Sequence, residues 1–250
     1  GGLRDYHTLL WCAKIKSNIK ERRDLEYYGL LSHFEYFALE EALADIWKIR
    51  NYLHHVTGRK CDTLHFEYQT EVAGLLGYHN KKKQPDVERF LGNLHAHMDF
   101  LKQINQITFE DVLSAIRVRR ESAEPRPTRT EGLVIKKRRL HFTNSLAILQ
   151  NPSLLLRIFL ESGQKKIPLS TEARRMVTEF LHLIDQDMRR DETCIKIFKK
   201  VMSLSFWEFN VLNVMLATGV LEKFIPEFTK VVNKIQYNHY HLFPVDKHSI

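Results

Sequence analysis

Residues 32–57 read SHFEYFALEEALADIWKIRNYLHHVT, and Gly58 follows. Ser32 and Glu35 stand three apart, the spacing at which a hydroxyl caps a helix while the carboxylate reaches back to the cap's own amide. Gly58 stands where a left-handed helix end favours glycine. Between them Leu39, Leu43, Ile46 and Leu53 fall on one stripe of a helix, with Trp47 alongside. Such a stripe must be covered by other helices, so the stretch predicts an all-α, multi-helix bundle. Arg50 falls on the same stripe, one turn after Ile46. A charge there needs a partner or must lift its head group to water. We read Arg50 as mostly buried and paired with Asp62 or Glu71, tying the loop after Gly58 to the helix; an Arg50 that snorkels is the rival.

Toward the C-terminus, Val87, Phe90, Leu91, Leu94, Met98, Leu101 and Ile104 keep helical spacing within Pro85–Arg117. This is one helix, or two broken near Ile107-Thr108. His95 and His97 lie two apart on it and point to different faces, so they do not share a metal. Toward the N-terminus, Gly1-Gly2-Leu3-Arg4-Asp5 leads into a short amphipathic helix through Leu9, Leu10, Ala13 and Ile15. Two glycines before an arginine and a carboxylate let backbone approach a nucleotide phosphate, and equally serve as a plain turn.

Residues 121–131 are polar with two prolines and read as a linker between a first helical part, 1–120, and a second, 132–243. Leu133-Val134-Ile135 and Leu140-His141-Phe142 flank Lys136–Arg139 as a short β hairpin near 133–142, although its turn lacks Gly or Asn. Asn151 and Pro152 predict a helix start running through Leu154, Leu155, Ile158 and Phe159. Further helices are expected over Thr171–Met188, Asp191–Met202, Phe206–Ala217 (capped by Ser205 and Glu208) and about Pro226–Tyr237.

Composition narrows the function classes. Ten Gly and seven Pro in 250 residues favour long regular elements over a turn-rich β sandwich. The longest uncharged run, near Val211–Leu221, is too short for a membrane span, and no signal-peptide pattern opens the chain. Cys12, Cys61 and Cys194 are far apart without CxxC spacing, which suits reduced thiols in a cytoplasmic protein and argues against a zinc site. The net charge of +8 is concentrated in Lys81-Lys82-Lys83 and in the 117–139 run. No aromatic interleaves that run, so it reads as a solvated linker and helix ends and not as a nucleic-acid platform. No P-loop, GxGxxG, HExxH or nucleophile–base spacing is present.

Three separated blocks resemble bacterial PII uridylyltransferase/uridylyl-removing enzymes. The first is Gly1-Gly2-Leu3-Arg4-Asp5. The second is Arg50-x-x-Leu53-His54, Gly58-Arg59, Asp62-x-Leu64-x-Phe66, Gln69 and Leu76-Gly77-Tyr78 in order. The third runs from Gly219-Val220-Leu221 and Ile225-Pro226-Glu227-Phe228 to Gln236, a His after it and Val245-Asp246-x-His248-Ser249. The resemblance implies a helical module, cut from a larger enzyme, between a nucleotidyltransferase domain and an HD hydrolase domain beginning at 244–250. Its parent would transfer uridylyl from UTP to a tyrosine of the signalling protein PII with Mg²⁺, and remove it by metal-assisted hydrolysis. Glutamine sensing would belong to C-terminal ACT domains.

Carried over by position, Gly1, Gly2, Arg4 and Asp5 would edge the nucleotide site, and His248 would be the first HD metal ligand. Asp246 would stand outside that shell and orient the turn. His239 and His241 with Tyr237, Tyr240 and Phe243 would form an aromatic plug. Arg50, Gly58, Arg59, Asp62 and Gln69 would be structural. The paired transferase carboxylates and most HD ligands are not in the sequence, so these 250 residues should be inert by themselves and hold no ion. Phe243-Pro244-Val245-Asp246-Lys247-His248-Ser249 departs from the family's Tyr-Thr-Val-Asp-Glu-His-Thr, and Asn238 replaces a usual Asp. A related nucleotidyltransferase with another protein substrate, or a non-enzymatic adaptor using the 117–139 run, is therefore the alternative.

Overall fold

The computed structural model describes residues 2–83, 86–117, 124–204, 210–235, 237 and 245–246, with side chains left aside at 114–117. Among them are twelve α-helices and a three-stranded antiparallel sheet, an all-α module with a short hairpin. The chain divides into two compact units, one of residues up to 113 with those from 231 on, the other of 114–230. The expected boundaries differ from this at both ends of the second part, because residues after 230 return to the first unit.

The first unit opens with α1, Leu3–Ser17, which ends on a left-handed Asn18. Leu9 and Ala13 are fully buried, whereas Ile15 is 73% exposed, against expectation. At 100° per residue Ile15 sits about 120° round the helix from Leu9, so it cannot share that face. After a single turn, α2 (Asp24–Tyr27), comes α3, His33–Thr57. The capping box forms: Ser32 Oγ accepts from the Glu35 amide at 3.3 Å, and the Ser32 amide donates to Glu35 Oε2 at 2.6 Å. Gly58 closes the helix at φ 62°, a conformation that strains any residue with a Cβ. Leu39, Leu43 and Ile46 pack with Leu9, Leu25, Leu101 and Ile104. Each such side chain contributes about 1.5–3 kcal/mol on burial.

Helix α4, Phe66–Leu75, and α5, Val87–Arg117, complete this unit. The latter is a single helix through Ile107-Thr108. Leu53, Val72, Ala73, Val87, Phe90, Leu91 and Ile235 form a second core cluster.

In the second unit the hairpin is β2 (Leu133–Lys136) against β3 (Arg139–Phe142), Leu133 facing Phe142 and Lys136 facing Arg139. Its two-residue turn, Lys137-Arg138, holds both residues at positive φ, 51° and 56°, so it is of the mirror-image kind although neither residue is Gly or Asn. Part of the expected linker is also a strand: β1, Arg126–Pro127, pairs with Val134 and Ile135. Pro127 is tolerated because it lies on the sheet edge.

Helix α6 (Ser145–Gln150), capped by Asn144, was not expected, and it displaces the next start to α7, Leu154–Lys165. Asn151 ends α6, and its Oδ1 accepts from the Ser153 hydroxyl at 2.6 Å instead of capping. The helix expected over Thr171–Met188 is broken into α8 (Thr171–Glu179), a 3₁₀ turn (Phe180–Leu183) and α9 (Gln186–Arg190). The break is Asp185, whose carboxylate takes the Met188 amide at 2.9 Å and so starts a new helix. The helix expected over Asp191–Met202 is α10, Glu192–Met202, with Asp191 as its cap.

Helix α11, Val211–Ala217, begins after Asn210, whose side chain accepts from the Leu212 amide. The expected cap at Ser205 and Glu208 lies outside the described residues. After α12 (Val220–Phe224) the expected closing helix is only a 3₁₀ turn, Pro226–Lys230. A left-handed Asn233, φ 54°, follows it. No described helix is long and apolar enough to cross a membrane.

Candidate functional site

The first block of the sequence starts α1. Gly2 is buried at φ 120°, and its carbonyl accepts from the Asp5 and Tyr6 amides at 3.1 and 3.2 Å. Arg4 is exposed. Asp5 is half-buried and accepts from Asn105 Nδ2 of α5 at 3.4 Å. Consecutive helix positions do not face each other, so the two side chains serve different directions: Arg4 toward solvent, Asp5 toward the bundle. Gly1 lies outside the described residues.

The second block builds a joint between α3 and the loop after it. Arg50 Nε donates to Asp62 Oδ1 at 2.7 Å, and His54 Nε2, one turn on, lies 3.1 Å from the same oxygen. The Arg50 side chain is 27% exposed and Asp62 54%, so the pair sits at the edge of the bundle. Arg50 therefore both pairs and snorkels, its guanidinium lying 5.3 Å over the Trp47 ring. The hydrogen bonds from Arg50, then His54, hold the Asp62 carboxyl below the usual carboxylate range. Gln69 Nε2 donates to the Leu64 carbonyl at 3.3 Å, and the Arg59 carbonyl accepts from the Thr57 hydroxyl at 2.9 Å. These contacts fix a loop.

Beside the joint lies an open cleft of about 390 Å³ lined by Asp45, Lys48, Ile49, Leu76, Gly77, Tyr78, Arg89 and Asn93. Arg89 sits 5.4 Å over the Tyr78 ring, whose hydroxyl accepts from Asn93 Nδ2 at 3.2 Å. His97 Nδ1 lies 3.4 Å from Asp45 Oδ2. From the sequence, Leu76-Gly77-Tyr78 stood only in the resemblance, and Lys48, Arg89 and Asn93 were passed over. The available signal was the pair of α5 residues at i and i+4, on one helix face.

In the third block, Asp246 is 2% exposed and accepts from the Asn233 amide at 3.2 Å. His95 is half-buried; burial lowers its pKa from the ordinary histidine value, against the pull of Asp99 and Asp246. His95 and His97 thus have separate partners. Tyr237 stacks on Phe66 with centroids 4.7 Å apart and planes at 7°. The rest of the expected plug, His239, Tyr240, His241 and Phe243, and His248 itself, lie outside the described residues. Among the described residues no three His, Cys, Asp or Glu side chains converge as metal ligands. Cys12, Cys61 and Cys194 are free thiols, and burial, with Asp191 nearby, pushes Cys194 up to about 11.

Two family models match the chain. One, described as GlnD PII-uridylyltransferase, covers residues 1–109; the other, described as Uridylyltransferase GlnD third domain, covers 133–224. Curated relatives include bifunctional uridylyltransferase/uridylyl-removing enzymes of Cereibacter sphaeroides (33% identical over 261 residues), Ruegeria pomeroyi (33% over 255) and Methylococcus capsulatus (30% over 252). Each alignment takes in 100% of this chain but only 27%, 28% and 29% of the relative. The chain thus spans little more than a quarter of their length. No solved structure matches it.

Proposed function

Because this chain belongs to the family of bifunctional uridylyltransferase/uridylyl-removing enzymes, we propose that it is the helical module joining the two reactions of such an enzyme. In the first reaction a tyrosine oxygen of PII attacks the α-phosphorus of UTP, and the bond to pyrophosphate breaks. In the second, water attacks the same phosphorus in uridylyl-tyrosine, releasing UMP and restoring the tyrosine hydroxyl. Divalent ions, Mg²⁺ for transfer, would supply charge stabilisation and an activated water. They would be held by the parent's catalytic domains, not by the residues described above. Glutamine would be read by its C-terminal domains, and the cytoplasm is where PII and reduced thiols coexist.

The observation that carries this reading is the agreement of two boundaries. The family matches, 1–109 and 133–224, fall one on each compact unit, and the division at 113/114 lies in the gap between them. The work of this chain's own residues is then positional. The start of α1 would bring Arg4 and Asp5 to the edge of the nucleotide site, and the Arg50–Asp62 joint would fix the loop between α3 and α4.

The test has two arms. The purified 250 residues, given UTP, PII and Mg²⁺, should neither transfer nor remove uridylyl, and either activity would overturn the reading. In the full-length enzyme His248→Ala should abolish removal while transfer persists. Retained removal would sink the His248 assignment, and modification of a protein other than PII would favour the related nucleotidyltransferase.

A further inference from the structure

We infer that α4 and α5 form a positioning surface for the residues leading to His248, so that uridylyl removal, and not transfer, depends on how residues 233–235, Tyr237 and residues 245–246 seat on these helices. This rests on the reading above in which the hydrolytic site begins at His248.

The seat is built from separate contacts. At Gly92 of α5 the backbones touch: a Cβ there would stand 2.6 Å from the Asn233 carbonyl oxygen, closer than such contacts occur. Asn233 is left-handed, φ 54°, which turns its amide onto the buried Asp246 carboxylate at 3.2 Å. The next residue repeats the link, the Val245 amide donating to the Lys234 carbonyl at 2.8 Å. Residues 233–234 and 245–246 are therefore held together beside one turn of α5. Ile235, 8% exposed, fills the cluster of Leu53, Val72, Phe90 and Leu91. Tyr237 then binds both helices: its ring lies on Phe66, its hydroxyl is 3.3 Å from Thr70 Oγ1, and its amide donates to Glu88 Oε1 at 3.0 Å.

A backbone approach, a buried carboxylate and an aromatic stack would be an elaborate way to secure a plain connection. Their consequence is a limit on reach. Two residues of chain span at most about 7 Å, so a shift of Asp246 is carried to the residue two positions on. A metal-dependent reaction is sensitive to such a shift, because misplacement by about 1 Å can cost about a hundredfold in rate.

The full-length enzyme is assayed for both reactions as Gly92→Ala, Tyr237→Ala and Tyr237→Phe. Gly92→Ala should lower kcat for removal at least tenfold and raise the Mg²⁺ concentration for half-maximal removal, with transfer within twofold of wild type. Tyr237→Ala, at a half-exposed position the fold can spare, should do the same more mildly, and Tyr237→Phe, which keeps the stack, should restore removal. Hydrogen exchange at the amides of 233–237 should quicken in the two damaging variants only. Undiminished removal in Gly92→Ala, or transfer and removal falling together, would overturn the positioning role. A wild-type enzyme that transfers but never removes uridylyl would instead overturn the reading beneath it.

Discussion

Glu161 of α7 offers a test in which two opposed effects can be weighed. Its side chain is 9% exposed; Oε1 accepts from the Thr130 hydroxyl at 2.8 Å, and Lys165 Nζ stands 3.4 Å from Oε2 without a directed hydrogen bond. Breaking a buried ion pair costs about 3–5 kcal/mol when a buried charge is left behind. That does not apply here, because the Lys165 side chain is 33% exposed and can turn to water. What Glu161→Ala loses is the charge-assisted bond to Thr130, about 1.5–3 kcal/mol, less the relief of no longer desolvating a carboxylate. The net expectation is a loss of about 1–2 kcal/mol. Glu161→Gln keeps an acceptor for Thr130 and gives up only a half-screened charge, so it should lose under about 1 kcal/mol. In thermal unfolding followed by circular dichroism, these correspond to falls of roughly 3–6 °C and under roughly 3 °C. An alanine variant melting with the wild type would refute the Thr130 bond as a stabilising contact. A glutamine variant as weak as alanine would show that the charge, and not the acceptor, is what matters.

Two further outcomes follow from local geometry. Asp62 has its pKa depressed by Arg50 first and His54 second, so its contribution to stability is present above the ordinary carboxylate pKa and fades as pH falls through the lower folded value. Urea midpoints of wild type and Asp62→Asn should accordingly differ at neutral pH and converge below about pH 4. In an NMR titration Arg50→Met should move Asp62 up toward the ordinary range, and an unmoved Asp62 would refute the pairing. The turn Lys137-Arg138 holds two ordinary residues in the left-handed region, at about 1–2 kcal/mol each. Replacing them with Asn-Gly should raise the urea stability of the chain by up to about 1 kcal/mol, and a loss would refute the mirror-image turn.

Much of the fold was legible where the signal is local. The Ser32–Glu35 box and the Gly58 end each depend on residues within one turn, and each formed as read. Errors arose where a polar residue inside an apolar pattern competed for the backbone. Asp185 looks like an exposed face of a helix over 171–188, yet its carboxylate captures the Met188 amide and restarts the chain. Asn144, capping the short α6, did the same to the start at Asn151. Hydrophobic spacing cannot distinguish a continuous helix from two that share a phase, since the periodicity survives a single cap. Ile15 failed differently, because membership of a helix was taken as membership of its buried face.

The candidate site was legible in proportion to sequence separation. Arg50 and Asp62 are twelve apart, within reach of one helix end and its loop, so a charge on an apolar stripe could suggest its own partner. The exposure of the pair could not be read, because it depends on what else covers the loop, and Asp62 stays 54% exposed. His54 joined the pair unannounced although it lies one turn from Arg50. The seat of Asn233, Ile235, Tyr237 and Asp246 was beyond any pattern. The Thr70–Tyr237 contact spans 167 positions, and Tyr237 gave no sign of which ring it would meet. One residue did carry a sign. Gly92 stands mid-helix, where glycine costs about 1 kcal/mol relative to alanine. Such a residue persists where another backbone needs the space of its missing side chain, and the Asn233 carbonyl fills that space. Read in that way, an unexplained glycine inside a strong helical pattern is the sequence's own marker for a contact that periodicity cannot locate.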